Sequence, residues 1–496
     1  MYLLGIDVGS SSVKVSLIDA LTHNVIDEVF SPEKEMVIDS PESGFAEQDP
    51  MLWWNHFKLA YAKIIKTNNL DSQKIYSIGI SYQMHGLVVV DKNGQLLRKS
   101  IIWCDSRAVS IGDQAYNANL DYCHNNLFNS PANLTLSKLV WVKNNQPEIY
   151  NQIYKFMLPG DFLAFKLSGQ ITTTPCGLTE CILWDYKENS LATKILDYWG
   201  IDKSKVPDII PNFTDQLKIS NKIADELNLS KDIYISYRAG DQPNNAFGLK
   251  VLNSGEVAAN AGTSGVIYAL TNDAQNFDNR ANQILHINDH YQDYGRKIGI
   301  LMCMNGVGIL NSWLKHNILD NQLDYSEMNE SAQLINPGSD GLLVIPYGNG
   351  AERTLYNKNP YAHILNIDFN RHKRAHLIRA TLEGIAYSLN YAIDIVRDLG
   401  LEINTIKAGY TNMFLSPIFR NTLAKLAKVN IELYNTNGSL AAGLASGVGA
   451  KIYATMDEAL KNIQLIQCIT PDLVKDHDDL LEKSYNNWRS ALTKFL

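Results

Sequence analysis

The stretch "MYLLGIDVGSSSVKVSLID", residues 1–19, decides the fold that we predict for the first half of the chain. "MYLLGIDVG" has the apolar character of a buried strand. In the segment that follows, Val13, Val15 and Leu17 alternate with polar residues at the period of a second strand. "NVIDEVF" predicts a third strand, so we expect the chain to open as a meander of three strands.

The next elements identify the fold class as α/β. "DPMLWWNHFKLAYAKIIK" predicts a helix that begins at Asp49 and Pro50. Its apolar face is formed by Trp53, Phe57, Tyr61, Ile64 and Ile65. "IYSIGISYQMHG" then predicts a strand that ends in polar residues. Three strands, a helix and a further strand are typical of an α/β architecture.

The second half of the sequence repeats this theme. "GEVAANAGTSGVIYAL" predicts a strand, a turn and a second strand. "RAHLIRATLEGIAYSLNYAIDIVRDLG" predicts a long amphipathic helix that ends at Gly400. "SPIFRNTLAKLAK" predicts a helix with Ser416 as N-cap and Pro417 at its first position. "GSLAAGLASGVGAKIYA" predicts a helix of small residues. We therefore expect two related, tightly joined α/β halves, residues 1–248 and 249–496, that close like a hinge.

Composition excludes several classes of protein. The chain has 496 residues, 45% of them hydrophobic, and a formal net charge of -8 without a long basic run, which argues against a nucleic-acid partner. Six scattered cysteines favour neither a disulfide framework nor a zinc site. The apolar runs are shorter than the roughly 20 residues that span a bilayer. We expect a cytoplasmic protein with no membrane partner.

Two turns rich in Gly, Ser and Thr indicate a phosphate ligand. "DVGSSSVKV" places Gly9 and three serines between strands, where several backbone N–H groups can point at one phosphate, although an ordinary hairpin turn fits this segment equally well. "NAGTSGVIYAL" places a similar turn in the other half. One such turn in each half suits a triphosphate held across a cleft. The Asp7 carboxylate is a suitable ligand for Mg2+, and a hydrogen-bonding cap of the turn is the alternative role.

A third segment, "YRAGDQPNNAFG", residues 237–248, supplies a carboxylate. We predict that a strand delivers Asp241 into a turn with no partner to neutralise it, so that Asp241 can act as a base with an ordinary aspartate pKa near 3.9. Met84 and His85 follow another strand, where ligands collect in α/β sheets, and Trp103 follows a third. A structural role for His85 stays open.

Taken together, these segments resemble the FGGY carbohydrate kinases, of the actin, Hsp70 and hexokinase superfamily, over nearly the whole chain. "GIDVGSSSVKVSLID" and "AGTSGVIYAL" resemble the two phosphate loops of the family, and "GNGAERTLYNKNP" and "IKAGYTNMFLSPIFRNTLAKLAK" two later motifs. "QMHG" at residues 83–86 is similar to the segment of the xylulokinase branch in which a Met-His pair contacts the ketose. Glycerol kinases carry Arg-Glu at the Met-His position.

The resemblance implies two ribonuclease H-like domains around a central catalytic cleft, with ATP and Mg2+ as cofactors and a homodimer as one possible assembly. It implies that Asp241 withdraws a proton from the terminal hydroxyl of a free sugar. The substrate that it favours is D-xylulose, and the alternatives are ribulose, glycerol, another polyol and gluconate. The implied sugar contacts are Met84, His85, Trp103, Asp241, Gln242 and Asn244. The implied ATP and phosphate contacts are Ser10, Ser11, Ser12, Lys14, Gly262, Thr263, Ser264, Gly409 and Asn412, with Asp7 at the metal.

Two segments depart from the family pattern. "KAGY" offers one glycine, Gly409, where the adenosine segment of the family begins with two or three. "DQPNNA" after Asp241 is expanded, so the sugar contacts can differ. "MNGVGILNSW" is a further candidate for a position near ATP. Two other classes stay open: an ATP-driven conformational protein related to actin or Hsp70, which would not need Asp241 and "QMHG", and a sugar-binding regulator, which would need a DNA-binding segment.

Overall fold

A computed structural model describes residues 1–273, 278–473 and 478–496. The chain forms two compact units. The first contains Met1–Lys250, Gln283–Ile298 and Thr436–Ile463, and the second contains Val251–Asn282, Gly299–Asn435 and Gln464–Leu496. The chain first passes from one unit to the other at residue 250. Two later segments of the chain, Gln283–Ile298 and Thr436–Ile463, pack with the first unit.

The first unit is built on a sheet of six strands. Their order is Phe213–Lys218, Tyr234–Gly240, Ile75–Tyr82, Tyr2–Val8, Val13–Asp19 and Val25–Ser31. The second, third and fourth strands of this order run parallel, and the last three form an antiparallel meander. The predicted opening of three strands is confirmed.

The second unit contains a sheet with the same pattern. Six of its strands lie in the order Leu465–Ile469, Asn430–Tyr434, Thr405–Gly409, Glu256–Ala261, Gly265–Thr271 and Ile298–Met304. The second, third and fourth of these are again parallel, and their two outer neighbours are antiparallel to them. The prediction of two related α/β halves is confirmed at the level of sheet topology.

The helix of small residues, Gly438–Gly449, packs on the sheet of the first unit and is buried along its whole length. Two strand glycines make this close approach possible. A Cβ atom on Gly5 would stand 1.8 Å from the Ser439 carbonyl oxygen, and one on Gly79 would stand 1.9 Å from that of Ala442. Helix and strand backbones are thus in direct contact, which larger side chains would prevent.

The predicted helix boundaries are largely confirmed. The first long helix spans Pro50–Thr67, and the side chain of its N-cap Asp49 accepts a hydrogen bond from the Met51 N–H. In the second unit Ser416 caps the helix Pro417–Ala427, which packs against Arg374–Asp398. The remaining helices are Val109–Ala118, Leu120–Tyr122, Thr135–Asn145, Pro147–Gln152, Pro159–Ser168, Pro175–Glu180, Thr193–Trp199, Asn221–Leu227, Asp241–Gly248, Gly308–Trp313, Tyr325–Gln333, Met456–Leu460 and Asp478–Leu492.

Short strands complete the two units. Four two-stranded pairs join Glu47–Gln48 with Ser100–Ile101, Val88–Val90 with Lys155–Met157, Thr172–Thr173 with Asp208–Ile209, and Trp184–Asp185 with Ser190–Leu191. A longer hairpin joins Leu343–Tyr347 with Tyr361–Leu365 in the second unit. Within the described ranges, every helix is too short or too polar to cross a lipid bilayer.

Candidate active site

The three parallel strands of the first unit end at one edge of their sheet. Tyr82 is paired with Val8 on one side and with Gly240 on the other, so these strand ends lie at the same level. Asp7 precedes the first end, Met84 and His85 follow the second, and Asp241 follows the third. Such an edge is where open α/β sheets bind ligands. The structure therefore brings together four of the predicted site residues.

Asp241 begins a helix, Asp241–Gly248, immediately after its strand. The prediction of a turn at this point is wrong. The glycine, proline and asparagine residues of "GDQPNNAFG" favour a turn locally, but the apolar residues Ala246 and Phe247 are buried when the segment is helical. The strand and the helix hold Asp241 from both sides, which fixes a carboxylate more firmly than a loop would.

The pKa of Asp241 is raised to about 7. Burial is the largest cause and the negative charge of Asp7 the second, while hydrogen-bond donors of Gln242 act in the opposite direction. Asp241 keeps part of its surface exposed, and it forms no ion pair with the described residues. The expectation of an ordinary aspartate pKa is therefore wrong, because the sequence does not show how deeply this carboxylate is desolvated.

Asp7 lies beside the first turn of the small-residue helix. Burial raises the pKa of Asp7, and the positive charge of Lys14 opposes that rise. A Cβ atom on Gly438 would stand 2.5 Å from Asp7 Oδ2 and 3.3 Å from Asn245 Oδ1. A carboxylate oxygen and an amide oxygen thus lie close to the same point, and Mg2+ prefers oxygen ligands. The residues present fit a hydrated magnesium ion.

Met84 and His85 form the side of the site next to Asp241. Met84 is buried, and His85 has a left-handed backbone with φ 60°, an uncommon conformation outside glycine. The His85 carbonyl oxygen accepts a hydrogen bond of 2.8 Å from the Nζ of the buried Lys138. Strained backbone of this kind clusters at functional sites.

Glu180 is a site residue that the sequence did not reveal. Its carboxyl group is fully buried and accepts hydrogen bonds from the Tyr82 hydroxyl at 3.2 Å and from the His85 N–H at 3.4 Å. Burial first, and then the charge of Asp241, raise the pKa of Glu180 well above its usual range. The available signal was weak: Glu180 is the one acidic residue between Asp161 and Asp185.

The other predicted sugar contacts differ in their positions. Gln242 lies next to Asp241, and Trp103 is exposed with its Nε1 at 3.5 Å from Ser10 Oγ. Asn244 does not fit the prediction: it is fully buried, and its amide donates a hydrogen bond of 2.9 Å to the Gly438 carbonyl oxygen. Residues 241 and 244 are about one turn apart on their helix, but the Asn244 side chain is held against the small-residue helix by this hydrogen bond.

The first predicted phosphate loop is a tight turn between antiparallel strands. The Gly9 N–H donates to the Ser12 carbonyl oxygen at 3.0 Å, and the Ser10 carbonyl oxygen accepts 2.6 Å from Gln48 Nε2. The hydroxyl of Ser11 is on the exposed side of the turn. Lys14 lies 3.4 Å from Glu28, and both side chains are partly exposed. A surface ion pair of this kind is weak enough for Lys14 to contact another anion.

The second predicted phosphate loop is described within the second unit. The carbonyl oxygens of Gly262 and Thr263 accept hydrogen bonds from the N–H groups of Gly308 and Ile309, while Ser264 lies on the partly exposed side of the turn. "MNGVGILNSW" therefore packs against this loop. A Cβ atom on Gly262 would stand 3.4 Å from the Asn412 amide nitrogen.

The segment that contains Gly409 and Asn412 follows the strand Thr405–Gly409. The Gly409 carbonyl oxygen accepts a hydrogen bond of 2.8 Å from the Thr411 N–H, and Asn412 is exposed with φ 53°. The loops of residues 262–264 and 409–412 thus lie side by side. The structure brings together the predicted nucleotide residues of the second unit, although they are about 150 positions apart in the sequence.

In the first unit, a strand-end carboxylate lies beside a Met-His pair and a glycine and serine turn, and the second unit contains a further turn of this kind. Residues 2–248 match the N-terminal domain of the FGGY family of carbohydrate kinases, and residues 257–450 match its C-terminal domain. The chain belongs to the FGGY family of carbohydrate kinases.

Relatives within the family agree with this assignment. A xylulose kinase of Staphylococcus epidermidis is 28% identical, over 98% of this chain and 95% of its own length. The solved structure of a ligand-bound xylulose kinase from Lactobacillus acidophilus has a TM-score of 0.88 at 22% identity, covering 99% of this chain and 98% of that one. The structure of a gluconate kinase from Lactobacillus acidophilus gives the same TM-score, identity and coverage. The kinase prediction is confirmed.

Proposed function

We propose that this chain transfers the γ-phosphoryl group of ATP to the terminal hydroxyl of D-xylulose. The observation that carries the proposal is Asp241, a partly exposed carboxylate with a pKa of about 7 beside the Met84–His85 pair. The similarity to xylulose kinases over nearly the whole chain supports the choice of a ketose. The Met-His pair, in place of the Arg-Glu of glycerol kinases, supports it independently.

Asp241 acts as the base that accepts the proton of the attacking hydroxyl. A general base works best when its pKa lies near the pH of the reaction, and the raised pKa of Asp241 meets this condition. In phosphoryl transfer the proton leaves late, so the position of the hydroxyl matters as much as the strength of the base. The strand and helix that meet at Asp241 supply that position.

Asp7 would hold a hydrated Mg2+, with the Asn245 amide oxygen close to it. When bound, the ion neutralises negative charge on the transferring phosphate. The turn of Ser10, Ser11 and Ser12 with Lys14, and the turn of Gly262, Thr263 and Ser264 would contact phosphate oxygens, and Gly409 and Asn412 the adenosine. The cytoplasmic location and the homodimer stay predictions.

A substrate panel tests the proposed function. ADP release is measured with a coupled assay for xylulose, ribulose, glycerol, gluconate and erythritol, each against ATP alone. We expect xylulose to give the highest kcat/KM, by at least about tenfold, which corresponds to about 1.4 kcal/mol of transition-state binding. If another member of the panel is phosphorylated and xylulose gives no rate above ATP alone, the substrate assignment is wrong.

The pH dependence of the reaction tests the role of Asp241. Because the ionised form is the base, kcat/KM is expected to fall about tenfold for each pH unit below about 7. The charge of Asp7 raises the pKa of Asp241, so Asp7→Asn should move this acidic limb to lower pH, by roughly one unit, as well as lowering kcat. Glu33→Gln removes an exposed carboxylate of the same unit and should leave the limb in place. An unmoved limb in Asp7→Asn would contradict this assignment.

A further inference from the structure

Glu180 lies behind the acceptor side of the site. Its helix, Pro175–Glu180, ends at the strand edge that carries Tyr82 and Gly240. A Cβ atom on Gly240 would stand 2.5 Å from Glu180 Oε1 and 2.6 Å from Met84 Cγ. The absence of a side chain at Gly240 therefore lets the carboxyl group of Glu180 and the side chain of Met84 both lie directly against the residue before Asp241.

Two buried side chains hold the backbone of His85, one at its N–H and one at its carbonyl oxygen. Glu180 Oε2 accepts from the His85 N–H at 3.4 Å, and the Lys138 Nζ donates to the His85 carbonyl oxygen at 2.8 Å. The Glu180 carbonyl oxygen also lies 3.3 Å from His85 Nδ1. The left-handed backbone of His85 costs free energy, and such contacts are needed for it to persist.

Resting on the function proposed above, we propose that Glu180 is a positioning residue for the sugar: its side chain fixes Met84 and His85 in the arrangement that binds the acceptor. Glu180 acts through these two neighbours and not on the transferred phosphoryl group. Its loss should therefore weaken sugar binding while the chemical step, which depends on Asp241, continues.

A buried carboxyl group suits this position for a specific reason. Its two oxygens accept from two donors at the end of one strand, the Tyr82 hydroxyl and the His85 N–H. Burial raises the pKa of Glu180 well above its usual range, and an amide has the shape of the carboxyl group with one acceptor and one donor in place of its two oxygens. In Glu180→Gln the amide oxygen can accept from His85 while the amide nitrogen donates to the Tyr82 oxygen.

Steady-state kinetics of four variants test the proposal, with the sugar that the wild-type protein accepts best in the panel. We expect Glu180→Ala to raise the KM for the sugar at least about tenfold with kcat within about threefold, and Glu180→Gln to stay within about threefold in both. His85→Ala is the reference for a lost sugar contact. Tyr61→Phe, which removes a buried hydrogen bond of the same unit to the Leu227 carbonyl oxygen, controls for general destabilisation and should leave KM unchanged.

A double variant separates positioning from a merely structural role. If Glu180 acts through His85, adding Glu180→Ala to His85→Ala should raise KM by less than about twofold beyond His85→Ala alone. An unchanged KM in folded Glu180→Ala, a Glu180→Gln variant as impaired as Glu180→Ala, or fully additive effects in the double variant would each overturn the proposal.

A second readout keeps this test independent of the proposed function. The imidazole resonances of His85, assigned by their absence in His85→Ala, are recorded in ligand-free wild-type, Glu180→Ala and Glu180→Gln proteins. We expect a shift in Glu180→Ala and a near wild-type position in Glu180→Gln. A wild-type protein that phosphorylates no sugar of the panel would refute the proposed function alone, whereas unshifted His85 resonances in Glu180→Ala would refute the role of Glu180 alone.

Discussion

Asp241→Asn is expected to lower kcat for sugar phosphorylation by about 10³-fold, within the range that a positioned general base contributes. The amide has the size of the carboxyl group but cannot accept the proton of the attacking hydroxyl. Because the strand Tyr234–Gly240 and the helix Asp241–Gly248 fix its position, the amide should occupy the same place. The measurement is ADP release at saturating ATP and sugar, at pH 8, where the wild-type carboxylate is ionised.

Ligand affinities distinguish this catalytic effect from misfolding. The dissociation constants of sugar and ATP, measured by calorimetry on Asp241→Asn, should stay within about tenfold of the wild-type values. Retained turnover in the variant would remove Asp241 from the mechanism. A parallel loss of binding and turnover would show that the substitution disturbs the site as a whole.

The thermal stability of Asp241→Asn gives a further check with a defined sign. The pKa of Asp241 is about 7 in the folded chain and about 3.9 when unfolded. Proton binding therefore stabilises the folded state, and the wild-type protein loses this stability as the pH rises from about 4 to 7. In the absence of ligands, the Tm of the variant relative to the wild-type protein should increase over that interval and stay constant above it. A variant less stable at pH 8 would contradict the raised pKa.

Gly79→Ala is expected to lower the free energy of unfolding of the first unit by about 3 kcal/mol, the upper part of the range for overpacked cores. The added Cβ would stand 1.9 Å from the Ala442 carbonyl oxygen and 2.6 Å from its carbonyl carbon. Both are backbone atoms of the helix Gly438–Gly449, which is buried throughout and cannot rotate away as a side chain would. The midpoint of the first unfolding transition in urea, and the soluble yield, measure the effect.

Gly348→Ala is the matched control for Gly79→Ala. A Cβ atom there would make an ordinary contact of 3.5 Å with the Ala362 Cβ, and Gly348 has no left-handed backbone that a side chain would strain. Its unfolding midpoint should stay close to the wild-type value. If Gly79→Ala and Gly348→Ala unfold at the same urea concentration, the inference that the helix Gly438–Gly449 packs directly against Gly79 is wrong.

The sequence by itself determined most of the elements and the choice of Asp241 as the candidate base. Alternation at residues 13–17, the cap at Asp49 and Pro50, and the N-cap at Ser416 depend on neighbours in the chain, and each was confirmed. Asp241 was found because it follows an apolar strand, and Met84 and His85 because they follow another. These are local patterns, and local patterns are set by backbone geometry and hydrogen bonding within a few residues.

Only the tertiary structure decided the surroundings of these elements. The helix Gly438–Gly449 was predicted as a helix, but its packing partner, the strand with Gly79, lies more than 350 positions earlier. Glu180 is isolated in the sequence and contacts His85 only after folding. The raised pKa of Asp241 depends on desolvation and on the charge of Asp7, which are properties of the packed interior. Burial and electrostatic energy depend on distance in space, and that distance is not set by separation along the chain.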